Sequence, residues 1–169
     1  MSAVIENHDH DHHGPQKGIL RWLFTTNHKD IGTLYLWFSF LMFLTGGAMA
    51  MGIRAELFEP GLQLMDPIRY NQLVTMHGLI MIFGAVMPAF VGLANWLIPM
   101  QIGAPDMALP RMNNLSFWLL PSAFIILLST AFMEGGMPGF GWTFYAPLST
   151  NYPNICLLYT SDAADDPTC

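Results

Sequence analysis

Residues 70–105, YNQLVTMHGLIMIFGAVMPAFVGLANWLIPMQIGAP, contain no Asp, Glu, Lys or Arg and one histidine, His77. The run is long enough to cross a bilayer, whose hydrocarbon core takes about 20 apolar residues as a helix. An ionisable ring at that depth is costly, so it faces the interior of a bundle and finds a partner there, whether a proton, an ion or a metal. Neutral imidazole is an axial ligand of haem iron, and coordination satisfies its lone pair. A hydrogen bond to a neighbouring carbonyl is the other outcome open to the ring.

Two further charge-free runs flank this one, at 31–53 and 112–133. The three runs predict an all-α transmembrane helical bundle with spans at 31–53, 70–99 and 112–133. Pro88 and Pro99 predict a kinked second helix closing near Met100, with the chain returning through Gln101 to Arg111. Hydrophobic residues make up 53% of the chain and charged residues 11%, far below the roughly one quarter charged in soluble domains. The formal charge of −6 arises from acids at the two ends, because six basic residues balance six acidic ones between Gln16 and Asn154. Net charge therefore implies no nucleic-acid partner.

Lys17, Arg21 and Lys29 precede the first span and Arg111 follows the second, against Arg54 and Arg69 on the other side. This bias predicts a cytoplasmic N-terminus. The first sixteen residues are polar and His-rich, so no secretory signal is expected and the first helix serves as its own insertion signal. Residues 1–27 are expected to form a polar cytoplasmic tail. Within it His8, His10, His12 and His13 offer weak transition-metal ligation or, more simply, a solvated disordered segment. Cys156 and Cys169 fall outside the spans and define no disulfide framework.

The runs WLFTTNHKDIGTLY (22–35), IRAEL (53–57), NWLIPMQIGAPDMALPRMNNLS (95–116) and GWTFYAPL (141–148) resemble subunit I of the haem-copper cytochrome c oxidases, in the bacterial form. The resemblance covers residues 17–153 and places 28–153 as the first three of about a dozen helices. It implies the catalytic subunit of a terminal respiratory oxidase of the bacterial inner membrane, reducing O2 to water with electrons from cytochrome c and pumping protons. By the same resemblance His77 is an axial ligand of low-spin haem a, and Arg54 hydrogen-bonds the haem formyl group. A snorkelling interfacial arginine is the alternative for Arg54. Gly78, Gly84 and Pro88 make one side of the second helix small enough for a flat macrocycle or for close helix packing.

Asp106, Asn95, Asn113 and Tyr35 match the positions of the family's proton-uptake path, where a carboxylate at the mouth and amides holding water relay protons inward. Helix capping is the plainer role for Asn113 or Asn114. Glu56, Glu59, Gly61 and Gln63 offer oxygen donors of the kind that bind Ca²⁺, an ion some members hold in this loop. The copper ligands, the ligand of the second haem and the other axial histidine of haem a belong to later helices. Oxidase subunits II and III are the implied partners. The isolated chain is therefore expected to be a catalytically inert piece of three helices. A quinol oxidase subunit I shares most of these motifs. From Asn154 the sequence NICLLYTSDAADDPTC departs from the motifs, and 154–169 reads as a non-native tail or, alternatively, a genuine C-terminus.

Overall fold

The computed structural model describes residues 18–61, 63–133 and 136–151. The histidine cluster, both cysteines and the 154–169 segment lie outside the described residues. Among those residues every element is helical: α1 (Ile19–Leu23), α2 (His28–Glu56), α3 (Pro67–Leu79), a π-helical segment (Ile80–Val86), α4 (Met87–Ile102), α5 (Pro110–Ser129) with a 3-10 turn (Thr130–Phe132), and α6 (Leu148–Asn151). Three continuous helices, His28–Glu56, Pro67–Ile102 and Pro110–Phe132, are long and apolar enough to span a membrane.

The first span overruns its charge-free stretch at both ends, and the second and third each begin ahead of theirs, because helices continue through the interface until a cap stops them. Asn27 caps α2, its side-chain oxygen accepting from the Lys29 amide at 2.9 Å. Asp30 in the first turn complements the helix dipole and pairs with Arg21 at 2.9 Å. Pro67 and Pro110 open α3 and α5, where a missing N–H costs nothing. The second span ends in a Schellman motif. Gly103 sits in the left-handed region at φ 70° with its N–H on the Met100 carbonyl, and the Ala104 N–H reaches the Pro99 carbonyl at 3.0 Å.

The kink expected at Pro88 is resolved differently. Its ring would strike the carbonyl four residues back in an α-helix. The backbone instead widens into the π segment just before it, where the Met87 N–H bonds the Ile82 carbonyl, five residues back. Ser39 on α2 donates to the Ala85 carbonyl at 2.6 Å and ties this wide turn to the first span.

Residues 18–27, expected to be polar tail, hold α1 and are tied to the bundle. The Leu23 carbonyl accepts from both Asn114 Nδ2 at 2.9 Å and Trp118 Nε1 at 3.2 Å. Asn113 and Asn114 are not caps, since α5 starts at Pro110 and its capping position, Leu109, makes no side-chain bond.

The spans run up, down and up, joined around Ile31, Tyr35, Phe38, Met76, Leu79, Ile80, Phe117 and Phe124. Phe117 meets Tyr35 edge-on at 5.1 Å and Phe124 meets Phe38 at 5.5 Å, which seats α5 on α2. Lipid supplies no hydrophobic drive between helices, so close approach through small residues decides where they cross. A Cβ on Gly32 would lie 2.6 Å from Trp96 Cδ1 and 2.9 Å from the Gly92 carbonyl, and one on Gly92 would lie 3.0 Å from the Gly32 carbonyl. Gly32→Leu is therefore expected to separate α2 from α4 and destabilise the bundle by about 1–3 kcal/mol, an overpacking cost. Thermal unfolding of the purified protein in detergent checks this, and an unchanged midpoint would contradict the crossing.

Candidate functional site

His77 lies on α3, one helical turn before the π segment, and its ring is half-buried. Its Nδ1 sits 2.9 Å from the Gly46 carbonyl of α2. A carbonyl can only accept, so the ring hydrogen is on Nδ1 and the neutral imidazole keeps its lone pair on Nε2. Metal-ligating histidines are held in this way, with the second nitrogen donating to a carbonyl that fixes tautomer and ring orientation. The donor thus fits an axial haem ligand. Gly46 packs tightly here, since a Cβ on it would fall 2.6 Å from Met81 Sδ.

The small-residue side of the second span is occupied by protein. A Cβ added to Gly78 would lie 3.5 Å from the Trp142 side chain, and Gly84 packs so closely on Phe124 that an added Cβ would lie 2.9 Å from its ring. Trp142 belongs to the loop after α5. The Gly141 N–H of that loop donates to Thr75 Oγ1 at 2.9 Å, while the Thr75 hydroxyl donates to the Asn71 carbonyl at 2.7 Å. The loop therefore lies across α3 within a turn of His77. Gly46, Thr75 and Trp142 escaped the reading of the sequence. The Gly46–Gly47 pair within a charge-free span was the available sign of a close approach.

Arg54 stands exposed in the last turn of α2, two turns beyond Gly46 along the same helix. At the end of α2, Glu56 is almost wholly buried, at 4% exposure. Its carboxylate accepts three backbone N–H groups, from Gln63 at 2.9 Å, Leu64 at 2.8 Å and Met65 at 3.0 Å. Gln63 Nε2 donates to Glu59 Oε2 at 3.4 Å, and Gly61 takes φ 112°. The Glu56 carboxylate, one of the proposed ion-binding groups, is thus already engaged in closing its own loop. No group of three or more His, Cys, Asp or Glu that could hold a metal ion occurs among the described residues.

At the opposite end of the bundle the structure links three of the four predicted proton-uptake residues. Asp106 is exposed in the return loop, and its Oδ1 accepts from the Met107 N–H at 2.8 Å. Met107 Sδ accepts from Asn113 Nδ2 at 3.1 Å. The Ser116 hydroxyl lies 2.8 Å from the Asn113 carbonyl and 3.1 Å from the Tyr35 hydroxyl, and Tyr35 is 3% exposed. Asn95 stands apart from this chain, on the face of α4 that meets α2. It is 4% exposed, its carbonyl accepts from the buried His28 Nδ1 at 2.9 Å, and its Nδ2 has no protein partner. A buried, unpaired amide N–H₂ is a site for an ordered water.

The family model for cytochrome c and quinol oxidase polypeptide I matches residues 30–164, most of the chain. The chain belongs to this family. The matched stretch reaches into the segment after Asn154 that the quoted motifs leave out. Among relatives, the chain is 47% identical over 135 residues to the "Probable cytochrome c oxidase subunit 1-alpha" of Streptomyces coelicolor, covering 80% of this chain and 23% of that protein. It is 46% identical over 138 residues to the cytochrome c oxidase subunit 1 of Corynebacterium diphtheriae, covering 80% and 24%. The Corynebacterium glutamicum subunit 1 is likewise 46% identical, over 136 residues, with 79% and 23% covered. The chain spans about a quarter of the length of these curated relatives. As a cytochrome c and quinol oxidase polypeptide I, it is a multi-pass helical membrane protein.

Proposed function

We propose that this chain is the N-terminal part of the catalytic subunit of a bacterial terminal oxidase, which reduces O2 to water with electrons from cytochrome c and translocates protons. The observation that carries the reading is His77, held by the Gly46 carbonyl in the one tautomer that offers Nε2 to a metal from within a membrane-spanning helix. Haem a held there supplies one-electron transfer. His77 would hold and orient the haem, and Arg54 would donate hydrogen bonds to its formyl group, which would adjust the potential. The second axial ligand, the copper centre, the second haem and the contacts with subunits II and III fall to the rest of the subunit.

At the other end, Asp106 collects protons from bulk water, and Asn113, Ser116 and Tyr35 provide polar groups leading inward, while Asn95, set apart on the α2 face of α4, offers a separate site for a water. The excess of Lys17, Arg21, Lys29 and Arg111 over Arg54 and Arg69 puts this end, and the N-terminus, in the cytoplasm. Protons are then taken up from the side where Asp106 lies.

A quinol donor is the second reading, because the matching family takes in both kinds of oxidase. The three relatives are named as cytochrome c oxidases, which favours cytochrome c. The deciding experiment expresses the full-length subunit with its partners and compares O2 uptake by membranes given ferrocytochrome c or a quinol. Uptake with ferrocytochrome c is expected. Uptake with quinol alone would reassign the donor, and uptake with neither would overturn the oxidase reading.

A further inference from the structure

Between the exposed Asp106 carboxylate and the buried Tyr35 hydroxyl stands a side chain that carries no exchangeable proton, the Met107 thioether. Its backbone N–H holds Asp106 Oδ1 at 2.8 Å, and its sulfur accepts from Asn113 Nδ2 at 3.1 Å. One residue therefore touches both the carboxylate and the amide. A thioether sulfur has no hydrogen to give and serves only as a weak acceptor. The Asn113 amide accordingly turns its NH₂ toward Met107 and its oxygen away, so that Oδ1 is left to accept from water. Met107 is half-buried, whereas Asp106 is exposed, which places the thioether just inside the mouth. The Asn113 backbone carbonyl accepts from Ser116, the neighbour of Tyr35, so the amide stands on the same turns of α5 as the groups inward of it.

We propose that Met107 is a positioning residue for proton uptake at Asp106. Through its sulfur it holds the Asn113 amide in the orientation that presents an acceptor to incoming water, and through its backbone it holds the carboxylate beside that amide. Protons pass along water next to Asn113 and not through the sulfur. The inference rests on the oxidase reading given above.

The test uses the full-length, assembled oxidase in vesicles, with Met107→Leu, which keeps the bulk and removes the acceptor, and Met107→Gln, which restores one. Losing a neutral hydrogen bond of about 1 kcal/mol corresponds to a change of about fivefold. Met107→Leu is expected to lower turnover by that factor or somewhat less, to shift its pH profile and to reduce protons translocated per electron. The KM for cytochrome c and the haem absorption bands should stay as in wild type, and Met107→Gln should recover most of the loss. Wild-type turnover, pH profile and stoichiometry in Met107→Leu would overturn the proposal. So would equal impairment of the Leu and Gln variants, which would make the residue a packing element. Asp106→Asn separates the two levels. If Asp106→Asn blocks uptake while Met107→Leu does not, the Met107 role alone fails. If Asp106→Asn is silent, the uptake reading fails together with it.

Discussion

Full-length oxidase carrying His77→Ala is expected to assemble in the membrane but to lose its low-spin haem absorption and its O2 reduction. Partners one shell removed from a metal already contribute about 10–100-fold to its binding, so removal of a ligand itself should exceed that range. The fold should survive, because the ring contributes to it mainly one hydrogen bond, to the Gly46 carbonyl, of about 1 kcal/mol. Helix packing in this region rests on Met76, Leu79 and Ile80, which the substitution leaves in place. Reduced-minus-oxidised spectra of the purified enzyme decide the matter. A retained low-spin band with normal protein levels would remove His77 from the ligand set, and absence of the protein from the membrane would show that the ring is structural.

The second large effect is expected from Asp106→Asn, which keeps size and hydrogen bonding but removes the exchangeable charge. The backbone N–H of Met107 can still donate to the amide oxygen, so the return loop should hold its shape. What disappears is a proton-collecting base at the surface, and positioned acid–base groups are worth on the order of 10²-fold or more in rate. Steady-state turnover in vesicles should fall by about that factor, while the haem bands, some distance away at the other end of the bundle, should not move. Stopped-flow detection of proton uptake with a pH dye is the direct measurement. Uptake at the wild-type rate would exclude Asp106 as the mouth of the path.

The two sites differ in how far residue types alone announce them. His77 was legible because a lone ionisable ring within a charge-free span has few roles, and Asp106 only through its match to the family's motif, since hydropathy alone passes over an acid in a return loop. The ion-loop residues were legible as oxygen donors. Their actual use was not, since the Glu56 carboxylate turns back onto three amides of a loop whose path no local rule predicts. Gly84 shows the converse. A small residue can make room for a cofactor or for a neighbour, and here the ring of Phe124 fills the space.

By itself the sequence determined the membrane class, the three spans, the family and the identity of the candidate ligand and proton acceptor. These depend on properties carried residue by residue: hydropathy over a window of bilayer length, the placing of charge, and short motifs. Only the tertiary structure decided which nitrogen of His77 is free, that a π turn precedes Pro88, and that Met107 and Ser116 join Asp106 to Tyr35. Those contacts bring together residues 31 and 81 positions apart. They exist because α2 packs closely on its neighbours, through Gly32 and Gly92 on the second span and through Phe117 and Phe124 on α5, a property of pairs of helices that no single one carries alone.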